Sequence, residues 1–213
     1  MSQNINEMHR DSDDLQITLI GITGRKRSGK DTIGEYLVKK CGFKRIAFAD
    51  ALKEACKIIF GFDNEQVYGD LKENVDDYWG HSPREILQIV GSELFRDRLP
   101  ELCHNIHNDI WIKSVERQIR NLYNQGYNKF VITDARFDNE IDFIKKFNGF
   151  TWKVIRPCLM SIDNHSNTHQ SEISIDNFIC DYDFINDSTI ANLYDKVDKN
   201  LNQCLFVDHI ENI

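Results

Sequence analysis

The chain reads as an α/β protein whose parallel sheet is covered by helices on both faces. Three observations carry this reading. Apolar, β-branched runs (Ile17 to Ile22, Lys129 to Thr133, Thr151 to Ile155) alternate with amphipathic segments, the pattern of strands joined by crossover helices. The first run passes through Gly24-Arg25-Lys26-Arg27-Ser28-Gly29-Lys30-Asp31-Thr32 into an amphipathic stretch, Ile33 to Cys41, so strand, glycine loop and helix follow one another. The 213 residues, 41% hydrophobic and 28% charged, suit one globular domain with one sizeable core.

In chain order, residues 1–14 are polar and lack an apolar signal core; we read them as a disordered tail ahead of a single domain over 15–213. After the glycine loop and its helix, Arg45 to Ala49 has the composition of a short strand. Leu52, Ala55, Cys56 and Ile59 then recur at helical spacing. From Gly61 to Ser82 the pattern breaks into loop or irregular helix. Ser82-Pro83 with Glu85 is an N-cap, a first-turn proline and a capping glutamate, and Ile86, Ile89, Val90 and Leu94 continue that helix. Ile112, Val115, Ile119 and Leu122 mark the next helix, ended by Gly126. A strand closes at Asp134, a helix runs from Asn139 to Phe147, and a strand follows Gly149. Residues 157–181 show no clean period and form a candidate lid. Tyr182 to Ile185 is a last strand, and Ile190, Leu193, Val197 and Leu201 a closing helix.

The loop carries the chemistry. Gly-x4-Gly-Lys is the spacing of a P-loop, in which successive backbone N–H groups and the helix N-terminus form a concave anion site and the lysine reaches the outer phosphates. The residue after Lys30 is Asp31, where a Ser or Thr usually ligates Mg²⁺; Thr32 comes one place later. Either the Asp31 carboxylate binds the metal or a metal-bound water, or Thr32 substitutes. The flanking strand and helix argue against a chance glycine turn.

Val131-Ile132-Thr133-Asp134 is a buried-type strand ending in an acid, a position from which P-loop proteins contact Mg²⁺. Arg136, two residues on, faces the ligand crevice if it lies at the carboxyl edge of the sheet; the plainer alternative is a surface arginine paired with Asp138 or Glu140. Holding a second phosphate requires cations outside the loop, and Lys53, Arg84, Arg96, Arg136 and Arg156 are the candidates. Each taken singly is more simply a solvated charge. Arg25, Lys26 and Arg27 either clamp phosphates or point to water. Trp111 is a base-stacking platform or, more commonly in an amphipathic helix, core. Cys103, His104 and His107, and Cys158, His165 and His169, are incomplete as zinc sets. The six cysteines are scattered, as in a reduced cytosolic protein.

The net charge of −8 argues against a protein that grips polymeric nucleic acid, and no run is apolar enough to span a membrane.

Taken in order, several segments resemble the phage-type deoxynucleoside monophosphate kinases: Gly24-x4-Gly29-Lys30-Asp31-Thr32, Phe48-Ala49-Asp50-Ala51-Leu52-Lys53, Ser82-Pro83-Arg84, Gly91-Ser92-Glu93-Leu94, Asp109-Ile110-Trp111, Thr133-Asp134-Ala135-Arg136-Phe137-Asp138-Asn139-Glu140, Ile155-Arg156-Pro157 and His169-x-Ser171-Glu172. The resemblance spans nearly all of 15–201. It implies a P-loop kinase three-layer α/β/α sandwich with a five-stranded parallel sheet, and transfer from ATP, with Mg²⁺, to a deoxynucleoside 5′-monophosphate for DNA precursor synthesis. It implies that Gly24, Lys26, Arg27, Ser28, Gly29, Lys30, Asp31 and Thr32 hold the ATP phosphates. Leu52, Lys53, Arg84, Gly91, Ser92, Trp111, Asp134, Arg136, Glu140 and Ser171 would line the monophosphate pocket. Lys30, Asp134 and Arg136 would be catalytic, Asp31 the metal contact, and the assembly a homodimer in the cytoplasm, that of the host if the source is viral. Residues 157–181 contain neither arginine nor lysine, so the cations that lids commonly provide would come from Lys26, Arg27, Arg136 or Arg156.

Three rivals stand beside this. An animal-type phosphomevalonate kinase shares the Gly-Lys-Asp loop, but the Arg84 to Trp111 block favours a nucleotide. A GTPase-type switch lacks the Asn-Lys-x-Asp that reads guanine. A binding protein without catalysis is disfavoured by the presence of Lys30, Asp134 and Arg136.

Overall fold

The computed structural model describes residues 15–157, 175 and 177–207; the tail, most of the candidate lid and Ser171 lie outside them. The described chain falls into two compact units, one made of residues up to Ala47 and from Ile119 onward, the other of Phe48–Gln118.

The first unit holds the sheet. Strands β1 (Thr18–Thr23), β2 (Lys44–Ile46), β3 (Lys129–Ile132), β4 (Phe150–Ile155) and β5 (Tyr182–Ile185) stand in the order β2-β3-β1-β4-β5. All four pairings are parallel, with Ile20 opposite Val131 on one side and Phe150 on the other. The central strand explains why β1 is almost continuously apolar: both its faces are covered, and five of its six residues are buried. Its alternate side chains part to opposite faces. Ile20 and Ile22 join Val131, Trp152, Val154 and Phe184 against Ile33 and Leu37 of helix α1 (Lys30–Cys41) and against Leu193, Val197 and Leu201 of the closing helix α8 (Ile190–Val207). On the other face, Gly21 sits so close to Ile144 of helix α7 (Asp138–Lys146) that a Cβ there would lie 2.1 Å from its Cδ1. Helix, sheet and helix make the three-layer α/β/α sandwich expected from the sequence.

The second unit contains α2 (Asp50–Phe60), the one-turn α3 (Asn64–Val67), a 3₁₀ turn at Asp70–Glu73, α4 (Pro83–Gln88), a π-helical continuation over Ile89–Arg98, α5 (Leu99–Leu102) and the first part of α6 (Ile110–Tyr123). Its core is Cys56, Phe62, Val67, Ile86 and Val90. Ser82 caps α4 as its sequence indicates: its hydroxyl accepts from the Glu85 N–H, and the Glu85 carboxylate accepts from the Ser82 N–H at 2.8 Å. Those bonds hold the Glu85 carboxyl below its ordinary pKa, with His81 adding a smaller electrostatic contribution.

Some local expectations are corrected. The second strand ends at Ile46; Ala47 and Phe48 are buried beyond it without strand pairing. Ile59, Ile89, Leu94 and Ile190, which mark helical periods in the sequence, are exposed. For Ile89 and Leu94 the cause is the switch to π geometry at Ile89, which breaks the 3.6-residue period on which the pattern relied. Gly61–Ser82, which reads as irregular, contains the two short helical turns. The described cysteines, Cys41, Cys56, Cys103, Cys180 and Cys204, are all free thiols.

Gly34 inside α1 gives a test of the packing. A glycine in a helix interior normally costs about 1 kcal/mol relative to alanine. Here an added Cβ would stand 2.4 Å from Cγ2 of the buried, β-branched Thr133. We therefore expect Gly34→Ala to lower stability, by about 1–3 kcal/mol, in urea unfolding; a stabilised variant would contradict the close approach of α1 to the end of β3.

Candidate active site

The loop between β1 and α1 leaves Thr23 and turns back on itself through a bond from the Ser28 N–H to the Arg25 carbonyl, 3.1 Å. Gly24 and Gly29 take φ of 154° and 107°, and Arg27 sits in the left-handed region at 65°. Both glycines also lack room for a side chain. A Cβ on Gly24 would lie 2.6 Å from the Val154 carbonyl oxygen, and one on Gly29 would lie 2.5 Å from Nδ2 of Asn186. Such close backbone approach leaves the loop's N–H groups, with the start of α1 behind them, as an anion-binding concavity. Lys30, the first residue of α1, is 8% exposed, and its Nζ lies 3.5 Å from the Asp31 carboxylate, which is itself largely in solvent. Lys26 and Arg27 are exposed on the loop, and Nη1 of Arg156 reaches the Arg27 carbonyl at 3.5 Å. Among the described residues, the hydroxyls of Thr23 and Ser28 are buried without a hydrogen-bond partner. Buried polar atoms without a partner are uncommon in a packed interior; here one lies just before the loop and the other within it.

The carboxyl end of β3 lies beside that of β1. Thr133 is buried there and Asp134 is half-buried at the strand's exit. The turn that follows is shaped by Glu140, 2% exposed, whose carboxylate accepts from the backbone N–H of Arg136 at 2.8 Å and of Phe137 at 3.3 Å. Glu140 thus fixes the backbone that presents Arg136, whose side chain is exposed. The bond that joins the two residues involves the arginine's backbone, a distinction spacing alone does not make.

In the other unit, Trp111 is 9% exposed, donates its indole N–H to the Gly91 carbonyl at 3.0 Å and tilts against Phe95 at 5.3 Å between ring centroids. Gly91 lies inside the π-helical segment, and a Cβ on it would strike Leu52 at 2.5 Å. Leu52, Gly91 and Trp111 therefore form one packed group. Ser92 is exposed on the next position. Lys53 holds its ammonium 4.4 Å from the Tyr68 ring centroid, and Arg84 is ion-paired with Glu73 at 2.6 Å. Each of the six residues expected from this region lies in one unit, and those from the loop and the β3 turn lie in the other. Ser171 falls outside the described residues.

For the metal, Mg²⁺ prefers one or two carboxylates together with substrate oxygens and retained waters. Asp31, in the first turn of α1, and Asp134, just past β3, are the carboxylates of this region that could supply such oxygens. Among the described residues no three His, Cys, Asp or Glu side chains gather into a metal-binding group, Cys103, His104 and His107 included; Cys158, His165 and His169 lie outside those residues.

A parallel sheet of order β2-β3-β1-β4-β5, with a glycine phosphate loop after its central strand, defines a P-loop kinase fold. Dephospho-CoA kinase from Campylobacter jejuni shares it at a TM-score of 0.50 and 16% identity, covering 87% of this chain and 96% of that one. The chain belongs to the deoxynucleotide monophosphate kinase family, whose model matches residues 18–81 and 58–197. A protein of Acanthamoeba polyphaga mimivirus, provisionally named for that activity, is 40% identical over 187 residues, 85% of this chain and 94% of its own length. The deoxynucleotide monophosphate kinase of Enterobacteria phage T4 is 25% identical over 159 residues, 70% of this chain and 61% of its own length. No described helix is long and apolar enough to cross a membrane.

Removing the Glu140 carboxylate should leave the two amides of the β3 turn short of an acceptor. Glu140→Ala is expected to destabilise the protein by about 1–3 kcal/mol in urea unfolding, with Glu140→Gln recovering part of the loss. Wild-type stability in the alanine variant would show that the turn does not depend on this carboxylate.

Proposed function

We propose that the protein transfers the γ-phosphoryl group of ATP to the 5′-phosphate of a deoxynucleoside monophosphate, releasing ADP and a deoxynucleoside diphosphate for DNA precursor synthesis. The observation that carries the reading is the buried Lys30 at the head of a glycine loop with no room for side chains, in a member of the deoxynucleotide monophosphate kinase family.

Phosphoryl transfer requires positioning and charge stabilisation more than covalent help from the protein. In this reading the N–H groups of the Gly24–Lys30 loop cradle the β- and γ-phosphates. Lys30 stays with the transferred group and offsets the charge that builds on it. Its burial strengthens that attraction, because little water competes. Asp31, Thr32 and Asp134 supply hard oxygen ligands for Mg²⁺, which would neutralise phosphate charge when bound. Arg136, presented by the Glu140-braced turn, pairs with the acceptor's phosphate, as a guanidinium suits two phosphate oxygens at once. Lys53 and Arg84 add positive charge on the acceptor side, Arg84 by exchanging Glu73 for phosphate. Trp111, Gly91, Ser92 and Leu52 would line the deoxynucleoside pocket, and the family resemblance adds Ser171 to it. A homodimer in the host cytoplasm fits the family.

The test is ADP release from ATP and Mg²⁺ with dTMP, dGMP, dCMP, dAMP, their ribose counterparts and phosphomevalonate as acceptors. Turnover with one or more deoxynucleotides is expected. Lys30→Ala should lower it by about two orders of magnitude or more, and Arg136→Ala should raise the KM of the acceptor while ATP still binds. Turnover with phosphomevalonate alone would refute the acceptor class, and full activity of Lys30→Ala would refute the lysine's role.

A further inference from the structure

The loop's own geometry raises a question about what holds it. For its N–H groups to converge on an anion, its carbonyls must point away, and a carbonyl turned into the protein needs a donor. The Ser28 carbonyl has one: the side-chain amide of Asn186 donates to it at 2.8 Å, from 158 residues further along the chain. Asn186 is the first residue beyond β5. A trans peptide is planar, with its C=O and N–H opposed. Anchoring the Ser28 carbonyl therefore sets the direction of the Gly29 N–H, one of the donors in the cradle. The same side chain also fills the space a Cβ on Gly29 would need, 2.5 Å from Nδ2.

Asn186 is itself held. Its backbone N–H donates to the Ile155 carbonyl at the end of β4, 2.7 Å. The preceding carbonyl, of Ile185, accepts from Lys196 of α8 at 2.7 Å, and Lys196 also lies 3.6 Å from the Asp187 carboxylate. The turn after β5 is thus tied to β4 and to α8, and the Asn186 side-chain amide extends from it to the loop. The bond joins elements of the same compact unit.

We propose that Asn186 is a positioning residue for polyphosphate binding: it orients the Gly29 N–H by holding the Ser28 carbonyl. This rests on the reading of the loop as an ATP-phosphate site. The experiment compares wild type, Asn186→Ala and Asn186→Asp. It measures ATP dissociation constants by fluorescence titration, the KM of ATP and of the deoxynucleotide acceptor, and melting temperatures. The alanine variant should bind ATP about three- to tenfold more weakly, the loss of one net hydrogen bond. The aspartate variant has the same size, removes the donor and sets a carboxylate against the carbonyl beside a phosphate site; it should bind more weakly still. The acceptor KM should stay within about twofold of wild type, a change too small to represent a lost hydrogen bond. ATP constants unchanged in both variants would overturn the inference. So would a fall in active fraction and melting temperature with unchanged constants, the mark of a purely structural residue. Wild type that fails to bind ATP would instead overturn the phosphate reading, and this inference with it.

Discussion

The constraint on which the phosphate-loop unit depends is the absence of a side chain at four glycines of β1, the loop and α1. Gly21 meets Ile144 of α7, Gly24 meets the Val154 carbonyl at the end of β4, Gly29 meets Asn186 beyond β5, and Gly34 meets Thr133 at the end of β3, each closer than any Cβ would allow. The strand, loop and helix are therefore enclosed by their neighbours on every side that matters. Close packing of this kind fixes a loop that has little regular hydrogen bonding of its own. In the proposed reading, an acidic protein of net charge −8 would hold a polyanion through oriented amides and the buried Lys30 ammonium, which depend on local geometry more than on overall charge.

Sheet order serves the same end. With β1 central and its parallel neighbours β3 and β4 on either side, the carboxyl ends of three strands adjoin the loop. β3 delivers Asp134 and the Glu140-braced turn, β4 delivers Val154 and Arg156, and β5 delivers Asn186 through β4. The helical unit presents a different kind of surface. There the π-helical segment brings Gly91 against Leu52 and lets its carbonyl take the Trp111 indole N–H; π geometry inside helices is frequently kept at functional positions.

Much of this was legible in the sequence. The glycine spacing and its flanking periods located the loop, and β-branched runs located four strands closely. Ser82, Pro83 and Glu85 specified a helix start to the residue, because capping is a local interaction among near neighbours. What stayed hidden depended on distant partners. Nothing in the spacing of Asn186 says that its amide donates to the Ser28 carbonyl, 158 residues away, a bond that exists only once β5 has joined the sheet; the Glu140 carboxylate accepts from near neighbours, the backbone N–H groups of Arg136 and Phe137, but a carboxylate four residues after an arginine suggests an ion pair to the side chain just as well. The exposure of Ile89 and Leu94 was hidden because a helical period was assumed where the backbone widens to π geometry. Trp111 turned out to be both packed and hydrogen-bonded, so the alternatives of core residue and platform are not separated by burial.

The central claim is that the β1–α1 loop is built to hold phosphate. Displacement of a fluorescent ATP analogue by ATP, inorganic tripolyphosphate and adenosine, in wild type and in Gly29→Ala, tests it most directly. The account predicts that ATP and tripolyphosphate displace the analogue and adenosine does not, and that Gly29→Ala abolishes binding because an L-residue at φ 107° strains the loop backbone while its Cβ also displaces the Asn186 amide. Displacement by adenosine as strong as by ATP, or unimpaired binding in Gly29→Ala, would contradict it.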